Sequence, residues 1–146
     1  PHPLHVPRPA VQLKMRGIFT PYQEAFERSG LFDFAELLLR AHELWVKNPE
    51  LLAHYQRRFR AVLVDEFQDT NNIQYAWLRL LCGTDNNIMI VGDDDQSIYG
   101  WRGANVENIQ HFLRDFDQPT TIRLEQNYRS TGPILKDANA VIDPNA

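Results

Sequence analysis

The sequence feature that most constrains the fold is the apolar run Ala61–Val64, which ends abruptly in the acids Asp65 and Glu66. Four apolar residues bounded by polar ones are typical of a buried strand in a parallel sheet. A second apolar run, residues 88–91, ends in the polar segment Gly92–Gln96. Because ligands of open α/β sheets bind at the carboxyl ends of the strands, we expect the two polar ends to form one site.

From residue 61 onward, strand and helix patterns alternate. Helices are predicted over residues 71–81 and after the capping residue Asn105, and a last strand over residues 120–124 precedes a helix that begins at Ser130 or Thr131. The helix after Asn105 is expected to bury Val106, Ile109, Phe112, Leu113 and Phe116. This alternation indicates an α/β fold with a parallel sheet.

The first 60 residues contain helical patterns only. A weak one covers residues 22–28 and stops at Ser29-Gly30, a clearer one follows the capping residue Asp33, and a third follows Pro49 and runs to Phe59. The clearer helix is expected to present the apolar stripe Phe34, Leu38, Ala41 and Trp45. Residues 1–10 carry four prolines, so we expect residues 1–20 to form a poorly ordered arm.

Composition narrows the class of protein. The chain has 146 residues, of which 43% are hydrophobic and 23% charged, as in ordinary globular domains. It has neither an apolar stretch of about 18 residues nor a signal-like opening, so we expect a cytoplasmic protein without a membrane partner. The net charge of −4 gives the chain no overall basic surface, so any contact with nucleic acid must be local. The lone Cys82 follows two leucines and is expected to be buried and inert, and the five histidines lack zinc-type spacing.

The two acids after the first strand are candidates for nucleotide chemistry. In P-loop NTPases an acid at the end of a buried strand holds magnesium, which Asp65 could do, while Glu66 could deprotonate an attacking water. The alternative is that the pair only ends a strand and caps a helix. Asp93, Asp94 and Asp95 lack the glycine and glutamate of a calcium loop and are interpreted as loop acids, with Asp93 bracing the turn.

Three segments together resemble one family. Val64–Thr70 resembles the Walker B motif of the UvrD/Rep/PcrA helicases, which are superfamily 1 DNA translocases, Gly92–Ala104 resembles their motif III, and Leu124–Ser130 their motif IV. The resemblance implies part of a RecA-like P-loop NTPase motor domain, a parallel sheet with flanking helices, preceded by an all-helical segment. It assigns residues 21–60 to the end of an inserted helical subdomain, 61–130 to the second half of motor domain 1A, and 131–146 to the helix leading to the second motor domain. The opening, to about residue 20, is expected to lie outside the resemblance.

The resemblance also implies roles in binding and hydrolysing ATP. Asp65 would bind Mg²⁺ and Glu66 would activate the water. Gln96 would sense the γ-phosphate, Tyr128 would stack on the adenine, and Arg129 would be the arginine finger. Standing alone, an arginine before a helix cap is more often part of a surface salt bridge.

Three residues are expected to contact single-stranded DNA. The resemblance implies that Tyr99 and Trp101 stack on bases, a contact that tolerates any sequence, and that Arg102 contacts a phosphate or stacks beside them. The alternative is that the two rings belong to the core. Their flanking glycines, Gly100 and Gly103, favour an exposed loop.

No glycine of the sequence precedes a lysine, so the phosphate-binding motif G-x-x-x-x-G-K-[ST] is absent. We therefore expect a fragment of an ATP-dependent 3′-to-5′ DNA helicase of DNA repair, with little ATP hydrolysis of its own. The resemblance implies that single-stranded DNA, duplex junctions and repair proteins are partners. It also places the missing P-loop strand between the second strand and residues 120–124, which would leave exposed sheet edges prone to self-association. The alternatives are a non-catalytic module that binds single strands, and part of a helicase–nuclease.

Overall fold

The computed structural model describes residues 8–83, 87–116 and 119–142, with side chains from residue 13 onward. The backbone divides into two compact units, one ending at Lys47 and the other beginning at Asn48. In chain order the helices and strands are α1 (Arg8–Ser29), α2 (Phe34–Lys47), α3 (Pro49–Arg58), β1 (Ala61–Val64), α4 (Asn72–Cys82), β2 (Asn87–Ile90), α5 (Glu107–Asp115) and α6 (Gly132–Ile142). In the part of the chain that the structure describes, no helix is long and apolar enough to cross a membrane.

Helix α1 is much longer than the sequence pattern predicts. The expected arm, residues 1–20, is helical from Arg8 onward, and residues 1–7 lie outside the described residues. Pro9 falls in the first turn, where a helix leaves its backbone N–H groups unpaired in any case, so a proline there costs little. Gly30 ends the helix as predicted, with φ at +64° and its N–H donating to the Glu27 carbonyl.

Helix α2 begins at a side-chain cap. The Glu36 N–H donates to Asp33 Oδ1 at 2.7 Å, so the predicted cap is confirmed. Glu36 itself pairs with Arg40 one turn later, at 2.7 Å. Of the predicted apolar stripe, Trp45 is buried but Phe34 is 93% exposed. Helical spacing shows which residues share one face of the helix. It does not show how much of that face is covered by the residues that pack against it.

The sheet consists of β1 and β2, which pair in parallel with Val64 opposite Ile90. The predicted parallel pairing is therefore confirmed. Full burial of the strands is not found, because exposed and half-buried side chains alternate along both. Val62, Val64, Ile88 and Ile90 form the covered face, whereas Leu63 and Met89 lie on the open one. A two-stranded sheet covered on one face is what the structure shows, a coarser result than the expected RecA-like architecture.

The core of the second unit is aromatic. The Phe67 ring is fully buried and meets Tyr75 and Phe112 edge-on, at centroid distances of 6.0 and 5.9 Å. Such edge-to-face pairs stabilise a core beyond the burial of area alone, by about 0.5–1.5 kcal/mol each. Val64 and Ile90 pack against this cluster. Phe67 thus anchors the turn that follows β1 at the centre of the unit.

Helix α5 begins slightly later than predicted and buries fewer residues. The Asn105 side chain accepts from the Glu107 N–H at 3.1 Å, next to the first turn. Phe112 is buried, but Val106 and Leu113 are exposed, because they lie away from the side of the helix that meets Phe67. The predicted helix at the end of the chain is confirmed as α6.

The predicted strand over residues 120–124 is wrong. This segment has no assigned secondary structure, and Ile122 and Leu124 are both exposed. A strand requires backbone partners, and no backbone hydrogen bond joins this segment to β2 within the described ranges. The local alternation of apolar residues cannot supply that partner.

Candidate functional site

The two strand ends meet directly. The Val91 N–H donates to the Val64 carbonyl at 2.8 Å, and the Phe67 N–H donates back to the Val91 carbonyl at 2.9 Å. The ladder therefore continues one step past β1 and β2 and holds the turn at Asp65 and Glu66 against Gly92. The predicted juxtaposition of the two polar strand ends is present.

A continuous chain of hydrogen bonds links these two turns. The Glu66 N–H donates to Asp65 Oδ1 at 3.0 Å, and Gln68 Nε2 donates to Glu66 Oε2 at 2.7 Å. Gln68 Oε1 accepts from the Asp93 N–H at 3.1 Å, and Gln96 Nε2 donates to Asp93 Oδ2 at 2.7 Å. Asp65, Glu66 and Gln96, predicted from sequence, thus belong to one network.

Asp93 has the structural role expected of it. Its Oδ1 accepts from the Asp95 N–H at 3.1 Å and caps the 3₁₀ turn Asp94–Gln96. Its Oδ2 holds the Gln96 amide, as described above. The prediction that Asp93 braces this turn is confirmed.

Glu66 has an unusual backbone conformation, with φ at +50° and ψ at +44°. It is the one non-glycine residue with positive φ in the described parts of the chain. For a residue with a Cβ this left-handed region costs on the order of 1–3 kcal/mol and is found most often at functional sites. The turn directs Glu66 outward while Phe67 enters the core.

A second, buried polar contact joins the same turn to α5. Asn108 is 1% exposed, and its Nδ2 donates to the Thr70 carbonyl at 3.0 Å. Thr70 Oγ1 donates to the Phe67 carbonyl at 2.7 Å, and the Asn105 N–H donates to the Thr70 carbonyl at 2.9 Å. The turn after β1 is therefore fixed from two sides, by the loop after β2 and by α5.

The candidate DNA-contacting residues lie in the loop between β2 and α5. Trp101 is 82% exposed, which confirms the prediction that it lies outside the core. Tyr99 is half-buried, and the Arg102 guanidinium carbon lies 3.7 Å from the centre of its ring. This stacked cation–π pair flanks the exposed Trp101 in the sequence, and a cation with aromatic rings is a combination that suits a single nucleic-acid strand.

Tyr128 and Arg129 lie in a separate turn. The Asn127 side-chain oxygen accepts from the N–H groups of Arg129 and Ser130, both at 2.9 Å. Both candidate side chains are exposed. Across the described ranges, no hydrogen bond or ion pair links either one to Glu66 or Gln96.

Asp65 is exposed, and its Oδ2 has no hydrogen-bond partner among the described residues. The described ranges contain no group of three or more His, Cys, Asp or Glu side chains that could hold a metal. Magnesium usually takes only one or two carboxylates, with phosphate and water oxygens completing its shell. The donor at Asp65 is compatible with that kind of site.

Two buried amides were not predicted from the sequence: Gln68, a functional candidate, and Asn108, which has a structural role. Gln68 lies inside the motif-like string Val64–Thr70, but spacing alone does not show that its amide turns inward. Asn108 lies on a helix that was identified only by its apolar residues. An amide directly after a buried aromatic, in a turn between two acids, is the signal that could have indicated Gln68.

Comparison with known proteins extends the motif resemblance. The UvrD/REP helicase N-terminal domain family matches residues 9–117. DNA helicase II of Escherichia coli (strain K12) is 63% identical over 145 residues, 99% of this chain and 20% of that protein. DNA helicase II of Haemophilus influenzae is 60% identical over 129 residues, 88% of this chain and 18% of that protein. ATP-dependent DNA helicase PcrA of Staphylococcus aureus is 46% identical over 129 residues, again 88% and 18%.

These relatives are much longer than the chain, which spans about a fifth of their length. The match begins at residue 9, inside the opening segment that was expected to lie outside the resemblance, so that expectation was wrong. The family resemblance drawn from the three motif-like segments is confirmed over most of the sequence. The chain therefore belongs to the UvrD/REP helicase N-terminal domain family.

Proposed function

We propose that this chain is the part of an ATP-dependent DNA helicase that couples the nucleotide site to single-stranded DNA. The observation that carries the proposal is the hydrogen-bonded path from Glu66 through Gln68 and Asp93 to Gln96. A few residues further along the same loop, the exposed Trp101 lies between Tyr99 and Arg102 in the sequence. Candidate hydrolytic residues and candidate DNA contacts are therefore connected by a short stretch of backbone.

The acids would divide the chemistry between them. Asp65 would hold Mg²⁺, which when bound neutralises charge on the phosphates of ATP. Glu66, carried outward by its turn, would accept the proton of the attacking water. Gln96 would use its amide to contact the γ-phosphate. Because this amide already donates to Asp93, the same side chain would both contact the phosphate and brace the turn.

The other roles rest on exposed side chains. Tyr99 and Trp101 would stack on DNA bases, with Arg102 contacting a phosphate. Tyr128 would stack on the adenine and Arg129 would stabilise charge on the transferring phosphoryl group. Because no hydrogen bond joins their turn to Glu66 among the described residues, a bound ATP would be what connects them.

The larger assignments follow the family. Residues 61–130 would be the second half of a RecA-like motor domain, residues 21–60 the end of an inserted helical subdomain, and residues 131–146 the lead into a second motor domain. The whole protein would move 3′-to-5′ on single strands, engage duplex junctions and act in cytoplasmic DNA repair, with repair proteins as partners. Without a phosphate-loop motif, this chain alone would hydrolyse almost no ATP.

The test is DNA-stimulated ATP hydrolysis by the full-length protein that carries this chain. We expect Glu66→Gln to lower kcat by about 10²- to 10⁴-fold, the usual contribution of a general base, while ATP binding persists. Hydrolysis at the wild-type rate in this variant would remove Glu66 from the mechanism. Absence of DNA-stimulated hydrolysis in the wild-type protein would refute the helicase assignment.

A second candidate is a module that binds single strands without catalysis. It is favoured by the exposure of Trp101 together with the lack of a phosphate-loop motif in this sequence. The affinity of the chain for a single-stranded oligonucleotide, measured with and without Mg·ATP, separates the two. A wild-type affinity that ATP does not alter, in a full-length protein that does not hydrolyse ATP, would support the module.

A further inference from the structure

We propose that Gln68 is a positioning residue, whose amide clamps the Glu66 carboxylate to the loop that carries Gln96. The inference rests on the proposed function and deepens it by adding a residue that sets the geometry of hydrolysis. Gln68 is 1% exposed, so it cannot itself touch ATP or DNA in this arrangement. Its influence on the reaction must act through its two hydrogen-bond partners.

Both ends of the Gln68 amide are used. Nε2 donates to Glu66 Oε2 at 2.7 Å, and Oε1 accepts from the Asp93 N–H at 3.1 Å. The partners also fix which end is which, because a carboxylate only accepts and a backbone N–H only donates. A flipped amide would lose both bonds, so a single orientation is specified.

The clamp also restrains Glu66. The left-handed backbone conformation of Glu66 is costly in free energy. The hydrogen bond from Gln68 holds the carboxylate of the same residue. One carboxylate oxygen is occupied, and Oε1 has no hydrogen-bond partner among the described residues. The clamp therefore presents one defined oxygen of Glu66 for accepting a proton.

The loop after β2 approaches Gln68 closely. A Cβ at Gly92 would lie 2.8 Å from Gln68 Oε1 and 3.4 Å from the backbone nitrogens of Phe67 and Gln68. Only glycine lets the loop after β2 approach this closely. A rearrangement of that loop at Asp93 would change its hydrogen bond to the Gln68 amide. Through that amide it would also change the position of the Glu66 carboxylate.

Two substitutions separate the ends of the clamp. Gln68→Met fills a similar volume but makes neither bond. Gln68→Glu keeps an oxygen for the Asp93 N–H but cannot donate to Glu66 and sets a second carboxylate against it. Asn108→Leu is the matched control, because it also replaces a fully buried amide in the same unit, yet its amide bonds Thr70 and not Glu66.

The experiment measures single-strand-stimulated ATP hydrolysis by the full-length protein, well below the unfolding temperature of every variant. We expect both Gln68 variants to lose kcat on the order of 10- to 100-fold, the effect of misplacing a reacting group, with the KM for ATP nearly unchanged. Asn108→Leu should lower the unfolding temperature at least as much while keeping kcat near wild type.

Three results would decide against the inference. Wild-type kcat in Gln68→Met would show that the clamp does not matter, and wild-type kcat in Gln68→Glu would show that only the Asp93 contact does. Equal losses of kcat in Gln68→Met and Asn108→Leu would mean that Gln68 acts through stability alone. All three presuppose an active wild-type protein, whose inactivity would instead refute the proposed function.

Discussion

At the scale of single residues, Gly92 is the position where an added methyl group has the clearest consequence. Its Cβ would overlap Gln68 Oε1 at 2.8 Å and would lie 3.4 Å from the backbone nitrogens of Phe67 and Gln68. We expect Gly92→Ala to lower the free energy of unfolding by about 1–3 kcal/mol, the usual cost of overpacking. Urea unfolding followed by circular dichroism measures this.

The matched control is Gly132→Ala in the same unit. No atom lies within 4 Å of a Cβ at Gly132, and its φ is not positive. Since Gly132 begins α6, alanine there should leave stability unchanged or raise it slightly. An equal loss in the two variants would show that close approach to Gln68 is not the reason for the glycine.

Cys82 makes stability depend on pH in the alkaline range. Burial raises the pKa of its thiol from 9.0 to about 11. Below about pH 9 the thiol is protonated in both states, whereas between pH 9 and 11 it ionises mainly in the unfolded chain. The stability it contributes is therefore lost as pH rises through this window, and Cys82→Ala should flatten the fall of unfolding free energy between pH 9 and 11. Part of the fall should remain, because burial and Asp115 also raise the pKa of Tyr75.

The same shift predicts slow thiol chemistry. A pKa two units higher leaves about a hundredfold less thiolate near pH 8, and burial limits access further. We expect the reaction of Cys82 with a thiol reagent to be at least that much slower in native protein than in urea. Equal rates would contradict burial of this residue.

The burial or exposure of a single residue could be predicted from the sequence where its immediate neighbours determine it. Cys82 behind two leucines and Trp101 between glycines lie as expected. Gln68 could not be placed in this way, because its burial depends on a left-handed turn at Glu66 and on the glycine opposite. Those two conditions involve backbone angles and a second loop, which no local pattern contains.

At the scale of elements, α4 depends on a reciprocal cap. Asn71 Oδ1 accepts from the Gln74 N–H, and Gln74 Oε1 accepts from the Asn71 N–H, both at 2.9 Å. We expect Asn71→Ala to lower the free energy of unfolding by about 1 kcal/mol, since it exposes an unpaired donor at the helix start. Gln74→Ala should cost less, because the primary cap survives. If urea unfolding showed a greater loss of unfolding free energy for Gln74→Ala than for Asn71→Ala, the Gln74 side chain would be the more important half of the cap.

Elements with internal signals were predicted well. Asp33 and Pro49 mark helix starts in the sequence, and α2 and α3 begin directly after Asp33 and at Pro49. The parallel pairing of β1 and β2 followed from two apolar runs with polar ends. The strand over residues 120–124 failed because a strand exists only through its neighbour. The long α1 was not predicted because the prolines of residues 1–10 indicated an arm, whereas Pro9 falls in the first turn, where a helix tolerates proline.

At the scale of the whole molecule, the sheet has an open face. Leu63 is 75% and Met89 54% exposed, side by side across the β1–β2 pair in register. The outer edges of β1 and β2 also carry backbone groups without sheet partners in the described part of the chain. Apolar side chains beside open strand edges favour association between copies. The sequence predicted the two strands and their parallel pairing, but not that one face of the sheet is open.

We therefore expect the isolated chain to self-associate as its concentration rises, and Leu63→Lys to shift it toward monomer. An ammonium group at the centre of the open face would have to be desolvated in any contact that buries Leu63. The measurement is sedimentation velocity over a concentration series. Gln110→Lys is the control, because it adds the same charge at an exposed position of α5 and leaves the open face intact. A wild-type chain that stays monomeric throughout, or two variants that dissociate equally, would exclude the open face as the contact surface.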